Sequence, residues 1–395
     1  MKKFKSRTKK VRELRELCRN INVGSLKKDE ILKFSDIINS ITPVEVISIL
    51  ESVIKNGSSM KHSKREVSKV LNIFHSGLKN YNWECLEDNK FLMDMMEENL
   101  ILKENLTELK GDLKEFNLAN SKDKKNYIKL IEKILIVEDI ENHYRKIENV
   151  FFPYLEKIGG DLSCLPVMWS IHDDIRTHLR NLRKIKDAKE NYKKEFNSIV
   201  GELFFSLYAM IFREELILYP AAQKIFSSEM WEFMYNESFD IGFSFIKKKR
   251  KKVLSLHNQD NDHSAMIDLG TGAFDIKVLQ LVLNTLPVDI TFVDENDKVA
   301  YFSHTADRIF PRSKSILGRE VRNCHPPESL EKVNKIIESF RSGSSSKESF
   351  RIYHKDKYIL IEYFAVRDNS GNFKGTLEVS TDITGITKLT GEKRL

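Results

Sequence analysis

One helical phrase occurs twice in this chain. His143-Tyr-Arg-Lys-Ile-Glu148-Asn-Val-Phe-Phe152-Pro153 returns as Met210-Ile-Phe-Arg-Glu214-Glu215-Leu-Ile-Leu-Tyr219-Pro220, so an acid, an aromatic and a proline recur at matched offsets. Each copy closes a long segment of helical apolar periodicity. Such helices must bury an apolar stripe against partners, and a four-helix bundle is the fold in which inward His and carboxylate side chains build a metal site. The copies differ at their first residue, His143 in one and Met210 in the other, which narrows the metal chemistry on offer.

The rest of the chain sets wider bounds. Its 395 residues predict two or three domains, and 31% charged with 41% hydrophobic residues is a soluble balance. The longest strongly apolar stretch, Ile199 to Phe212, is 14 residues and contains Glu202, so no transmembrane segment is expected. No apolar signal-peptide core follows the basic N-terminus. Cys18, Cys85, Cys164 and Cys324 show no CxxC spacing, which argues for free thiols and a cytoplasmic location. The net charge is +7, with six Lys/Arg in the first ten residues and an unbroken run from Lys247 to Lys252. No aromatic interleaving or nucleic-acid motif accompanies these runs, so they read as solvated segments, with no nucleic acid expected as a partner.

Periodicity divides the chain into a basic arm (1–27), a small helical domain (28–86), a four-helix bundle (87–245), a basic and polar linker (246–270) and a C-terminal domain (271–390). Thr42-Pro-Val-Glu45 is a capping box with proline at the first helical position. Gly57 is expected to end that helix, and Ser63-Lys-Arg-Glu66 to open the next. The bundle helices are expected near 88–116, 126–157 (stopping at Gly159-Gly160), from Pro166, and 195–225. Beyond the linker the period changes to that of strands. A hairpin around Glu295-Asn-Asp297, a helical middle and three further strands predict an α+β sensor layout with a five-stranded antiparallel sheet.

These phrases resemble the bacterial and archaeal family named for domain of unknown function 438. In it, a small helical domain precedes a hemerythrin-like HHE bundle and a PAS domain. The resemblance rests on the two phrases above, on Val167-Met-Trp169-x-x-His172-Asp173-x-Ile-Arg176, and on Leu283-Asn-Thr-Leu-Pro287-Val-Asp-Ile290, Asn323-Cys-His-Pro-Pro327 and Tyr363-Phe-Ala-Val-Arg-Asp368. It covers nearly everything after residue 28. It implies non-haem iron in the bundle, held by His143, Glu148, His172 and Glu214 or Glu215. Two expected imidazoles are missing: Met210 stands at one position, and Met93, followed by Asp94, at the other. Both methionines read as core, since thioether is a poor ligand for hard iron. What remains suits a one-metal site, or a bundle that keeps its fold without metal. Asp173 and Asp174 are expected in solvent, and His75 half-buried in packing.

In the sensor domain the resemblance places Cys324 and His325 on the wall of a ligand cavity. They are the candidates to hold haem or another small ligand; the alternative is a surface turn leading into a helix, with no cofactor. No nucleophile elbow, P-loop or dinucleotide fingerprint is present, so an enzyme is not expected. Thr381-Asp-Ile-Thr384 resembles the exit of a PAS domain, and with few residues after it the output is expected to pass to the preceding domains or a protein partner. The expectation is a cytoplasmic sensory or regulatory protein, homodimeric through its PAS domain. The alternatives are a non-haem iron protein for oxygen or nitric oxide response or iron handling, and a protein-binding scaffold without cofactor.

Overall fold

A computed structural model describes residues 9–22, 32–54, 59–118, 124–159, 162–185, 192–249, 266–305, 308–354 and 356–392. The helix end at Gly57, the first eight residues and most of the basic linker lie outside them. The chain divides into two units, Met1–Lys248 and Lys249–Leu395.

The first unit begins with helices α1 (Lys9–Asn22), α2 (Ser35–Asn39), α3 (Pro43–Ile54) and α4 (Met60–Asn80). The capping box closes α3 as its residues dictate. Thr42 N–H donates to Glu45 Oε2 at 2.9 Å, and Glu45 N–H donates to Thr42 Oγ1 at 3.4 Å. α4 starts before its expected signal: Ser59 caps it by accepting from His62 N–H, and Ser63 is buried within it. Nor is α1 a free arm. Val11, Leu14, Leu17 and Cys18 are buried, and Lys10 reaches Glu45 of α3 at 2.9 Å, so this helix docks through its apolar stripe.

The bundle is formed by α5 (Lys90–Leu118), then by an interrupted helix, then by α9 (Cys164–Ile185), and then by α10 (Tyr192–Arg213) with its continuation. The interrupted helix runs through α6 (Lys124–Ile134), a 3-10 turn (Leu135–Ile140), α7 (Glu141–Lys146), a π turn (Ile147–Phe151) and α8 (Phe152–Gly159). α10 passes through a second π turn (Glu214–Leu218) into α11 (Tyr219–Gln223), and α12 (Ser228–Ile241) follows. The repeated phrase accounts for the π turns. Pro153 and Pro220 follow them at matched positions; proline has no N–H to donate and crowds the preceding turn, so the helix widens ahead of each. Lys194–Gln223 is, by length and composition, apolar enough to cross a membrane, longer than the 14-residue stretch legible in the sequence, and half of its apolar window is buried inside the protein. Met210 is fully buried, as expected, but Met93 is not core: it is 46% exposed on α5.

The second unit opens with a short hairpin, β1 (Met266–Asp268) and β2 (Ala273–Asp275), where the sequence suggests linker. Helix α13 (Ile276–Thr285) follows, N-capped by Asp275. Then come β3 (Asp289–Asp294), β4 (Val299–Phe302), α14 (Leu330–Ser342), β5 (Lys347–His354), β6 (Lys357–Arg367) and β7 (Phe373–Asp382). The five long strands form one antiparallel sheet in the order β4-β3-β7-β6-β5. The expected α+β layout is the one observed.

Candidate functional site in the helical bundle

Every helix of the bundle sends a charged side chain inward. Glu98 lies on the buried stripe of α5 with Phe91, Met95 and Leu102. His143 and Lys146 project from α7, Glu148 from the first π turn, His172 and Arg176 from α9, and Glu214 from the second π turn. Glu98, His143, Lys146 and His172 have no solvent exposure.

These groups form two linked clusters. In the first, His143 is held between two carboxylates, with Nδ1 2.7 Å from Glu98 Oε2 and Nε2 3.0 Å from Glu214 Oε2. Lys146 donates to Glu98 Oε1 at 2.5 Å and lies 4.5 Å from the Phe243 ring centroid. Glu214 Oε2 also accepts from Asn99 at 2.9 Å and from the Tyr219 hydroxyl at 3.1 Å. The segment after α12 closes this cluster: Ser244 N–H donates to Glu98 at 2.8 Å, and Ser244 Oγ accepts from His143 N–H at 2.8 Å. The 3-10 turn before α7 is the local departure from α-helical bonding that accompanies this outside partner for a helical N–H.

In the second cluster Glu148 Oε1 meets His172 Nδ1 at 2.8 Å, and Arg176 grips both oxygens of Glu148 at 3.0 and 3.1 Å. The Tyr144 ring stacks on His172 with centroids 4.1 Å apart. Glu148 is four residues from Tyr144 and five from His143, so it shares a face with the tyrosine and joins His172 rather than His143.

The five sequence candidates therefore part company. His143 meets Glu214, and His172 meets Glu148. Glu215 turns away to Lys103 at 2.7 Å. Asp173 is not free in solvent, since it accepts from Arg176 at 2.9 Å, and Asp174 pairs with Lys64 at 2.6 Å. His75 is exposed and stacks on Phe212. The residues missed from sequence are Glu98, Lys146, Arg176 and Ser244. Glu98 was the most findable, being an acid on an otherwise apolar helical stripe.

The electrostatics follow from burial and proximity. Burial alone would lower the pKa of His143, but Glu214 and Glu98 outweigh it and raise it to about 9. Burial opposes ionisation of Glu98, Glu148 and Glu214, yet facing groups hold all three below the usual carboxylate range: His143 and Lys146 for Glu98, the Arg176 guanidinium with the His172 hydrogen bond for Glu148, His143 for Glu214. Three carboxylates thus face three cations, Lys146, Arg176 and protonated His143. A stability consequence follows. The folded pKa of His143 lies above its ordinary 6.5, so its contribution is complete below pH 6.5 and is lost as pH rises through about 9. The melting midpoint of the helical unit is expected to fall over that window, and His143→Gln to flatten the fall. Equal slopes in the two proteins would remove His143 as the cause.

The donor set does not fit an iron pair. An imidazole whose two nitrogens both face carboxylates carries two N–H groups and has no lone pair for a metal. Lys146 and Arg176 supply the positive charge that an ion would bring. The buried side-chain atoms left without a partner in these clusters include His172 Nε2, Glu214 Oε1, Asp173 Oδ2 and the Tyr144 hydroxyl. Those are one imidazole nitrogen and two carboxylate oxygens, fewer than the donors an iron pair takes. No group of three or more His, Cys, Asp or Glu side chains able to hold a metal occurs among the described residues.

In the second unit Cys324 and His325 sit just before α14. The Cys324 thiol packs against the cluster of Val293, Val299 and Ile316. His325 donates from Nδ1 to the Val321 carbonyl at 2.8 Å, which leaves Nε2 as its acceptor end. Burial lowers the pKa of His325, with Glu378, Arg312 and Arg319 nearby. Arg312 and Glu378 are 3.8 Å apart, and Tyr363 pairs across the sheet with Glu378. The two candidates thus sit in different surroundings: Cys324 lies in the apolar cluster, and His325 belongs with a polar group on the sheet.

Comparison with known proteins decides the families. The hemerythrin HHE cation binding domain family matches residues 93–222, and the PAS domain family matches residues 279–384. The chain joins a hemerythrin HHE domain to a PAS domain. No curated protein matches it. Among solved structures, the C-terminal domain of a Streptococcus mutans protein is 34% identical; all of that domain and 33% of this chain are covered, at a TM-score of 0.31. A sensory box sensor histidine kinase from Vibrio cholerae is 15% identical over 27% of this chain and 90% of its own, at 0.22. A PAS domain from Colwellia psychrerythraea is 18% identical over 28% and 97%, at 0.22. The matched HHE family is described as cation binding, and the centre of this domain is ion-paired among its own side chains. Together the HHE and PAS domains support a sensory protein.

Proposed function

We propose that this is a cytoplasmic sensory protein, acting by binding rather than catalysis, in which the PAS domain takes a small ligand and the HHE domain has exchanged its metal for internal cations. The observation that carries the reading is His143 held between Glu98 and Glu214 with Lys146 behind it. A centre neutralised by its own side chains holds the bundle together without a redox ion, so the HHE domain serves as a relay or scaffold beside the sensor. In the PAS domain, His325, Arg312, Tyr363 and Glu378 offer a polar ligand an acceptor nitrogen, a guanidinium, a phenol and a carboxylate. Four free cysteines, in separate places among the described residues, agree with a reducing compartment.

The PAS domain also supports a homodimer. Helix α13 has no buried residue, and Ile276, Val278, Leu281 and Leu286 are between 41% and 65% exposed. An apolar helix face of this kind is covered in solution by a partner, here a second copy.

The test is anaerobic purification followed by metal analysis and an ultraviolet–visible spectrum before and after exposure to air. The expected result is iron well below one per chain, with no Soret band. Near-stoichiometric iron without a Soret band would favour the non-haem reading, for which the unpartnered His172 Nε2 and Glu214 Oε1 are the supporting atoms. A Soret band lost in His325→Ala would put haem in the PAS domain.

A further inference from the structure

One face of the PAS sheet gathers polar side chains that the chain itself leaves unspent. Residues directly opposite each other in an antiparallel pair share a face. Glu378 of β7 therefore lies on the face of Thr291 and Tyr363, and Ser380 on the face of Asp289 and Ile361. This is the inner face, because Asp289, Thr291, Val293, Thr376 and Ser380 are all buried on it. The loop after β4 crosses it. Phe310 lies against His354 with ring centroids 5.5 Å apart, and Arg312 Nη2 is 3.8 Å from Glu378 Oε1. His325 reaches the same spot from the turn before α14, close enough for its charge to feel both Arg312 and Glu378.

Hydrogen-bonding capacity accumulates there. The separation of Arg312 from Glu378 is too long for a hydrogen bond, and the side chains of Arg312, Glu378 and Tyr363 make none among the described residues. Arg312 Nε is buried without a partner, and so is Ser380 Oγ, two residues along β7 from Glu378. His325 spends Nδ1 on the Val321 carbonyl and keeps Nε2. Enclosed polar groups are as a rule hydrogen-bonded, so a spot where several stand unspent together has the character of a ligand site.

The charges restrict what fits. A guanidinium offers parallel N–H donors to a carboxylate, and a carboxylate accepts from an ammonium. Facing each other at 3.8 Å, the two call for opposite charges on neighbouring atoms of one small molecule. Burial lowers the pKa of His325, so it adds a neutral acceptor and not a third charge. Beside these groups the same face turns apolar and opens. Phe350 and Ile352 of β5, paired with Ile361 and Ile359, are 38% and 37% exposed, and the Phe350 ring centroid is 6.0 Å from that of Tyr363. An inward-facing apolar pair left open at the sheet edge gives a hydrocarbon side chain a surface to lie on and gives the polar groups an entrance.

We propose that the PAS domain binds a free α-amino acid with an apolar side chain, its carboxylate on Arg312, its ammonium on Glu378 and its side chain along Phe350 and Ile352. Tyr363 and His325 accept the remaining ammonium hydrogens. The inference rests on the reading of the PAS domain as a small-ligand sensor and gives that ligand a chemistry. It does not depend on whether the bundle holds metal.

The test is titration calorimetry of the full chain with L-leucine and L-phenylalanine. The controls are 4-methylpentanoate, which is leucine without its ammonium, and 3-methylbutylamine, which is leucine without its carboxylate. At least one amino acid is expected to bind saturably, and both controls to bind roughly 10–100-fold more weakly than leucine, since each leaves one charged group unmatched. Arg312→Met and Glu378→Gln, with sheet content checked by circular dichroism, are expected to weaken the amino acid by a similar factor. A wild type that binds neither amino acid, or binds 4-methylpentanoate as tightly as leucine, overturns the proposal without reliance on any variant. So does undiminished affinity in both variants. Native mass spectrometry of the protein as purified separates two kinds of failure. A different small molecule held by the chain, with no response to either amino acid, overturns this inference and leaves the small-ligand reading standing; no bound molecule and no response removes both.

Discussion

Lys146→Met is expected to lower the stability of the helical unit by about 3–5 kcal/mol, the cost of removing one member of a fully buried ion pair. The loss comes less from the missing contact than from what stays behind. Glu98 would keep His143 and the Ser244 N–H but lose its nearest cation, at 2.5 Å, in a place with no water to replace it. Glu98→Gln should cost a similar amount by the opposite route, leaving Lys146 and His143 facing each other's charge. The double variant Glu98→Gln with Lys146→Met strands neither charge and should recover a substantial part of the sum of the two losses. The measurement is a urea titration followed by tryptophan fluorescence. The three tryptophans, Trp83, Trp169 and Trp231, all lie in the first unit, so the signal reports that unit alone. Additive losses in the double variant would mean that the two residues do not act as a pair. A loss well under 1 kcal/mol in Lys146→Met would mean that water reaches the centre.

Gly375→Ala is the complementary test in the PAS domain, with an expected cost on the order of 3–5 kcal/mol. Gly375 lies on β7, paired with Asp294 of β3 on one side and Val366 of β6 on the other. Its φ is +145°, a conformation that side chains rarely adopt. A Cβ there would sit 2.2 Å from the Val293 carbonyl oxygen and 2.8 Å from the Phe292 ring. The oxygen belongs to a neighbouring central strand and cannot move without breaking the sheet. The variant should lose the thermal transition of the PAS domain, read by circular dichroism, while tryptophan fluorescence from the helical unit keeps its wild-type midpoint. An unchanged PAS transition would mean that β7 can shift its register to make room.

Much of this was legible in the residues. The period change after the linker, the Glu295-Asn-Asp297 turn and the three late strands give the PAS sheet, because alternation and turn chemistry are local. The capping box at Thr42 held because all its partners lie within one turn. The repeated phrase located both halves of the charged centre, and its prolines mark where both π turns occur. The boundaries were less secure. Ser63 looked like a helix start because the sequence does not reveal that its hydroxyl would be buried on α4. The stripe of α1 is likewise visible, but not that α3 lies against it.

The centre itself shows the division most clearly. The sequence by itself determined that carboxylates, imidazoles and an unusual methionine would share a bundle interior, since helical spacing dictates which residues take the buried face. Only the tertiary structure decided how they pair. Lys146 and Arg176 read as surface charges in any one-dimensional pattern, because most lysines and arginines on helices reach solvent. Their capture by Glu98 and Glu148 depends on other helices arriving at the right depth, 48 and 28 residues away in the chain. The same holds for Arg312, which faces Glu378 only once the loop after β4 crosses the sheet. Pairing between distant side chains is set by packing geometry, which no local pattern encodes, and here that geometry sets His143 between Glu98 and Glu214 and His172 beside Glu148.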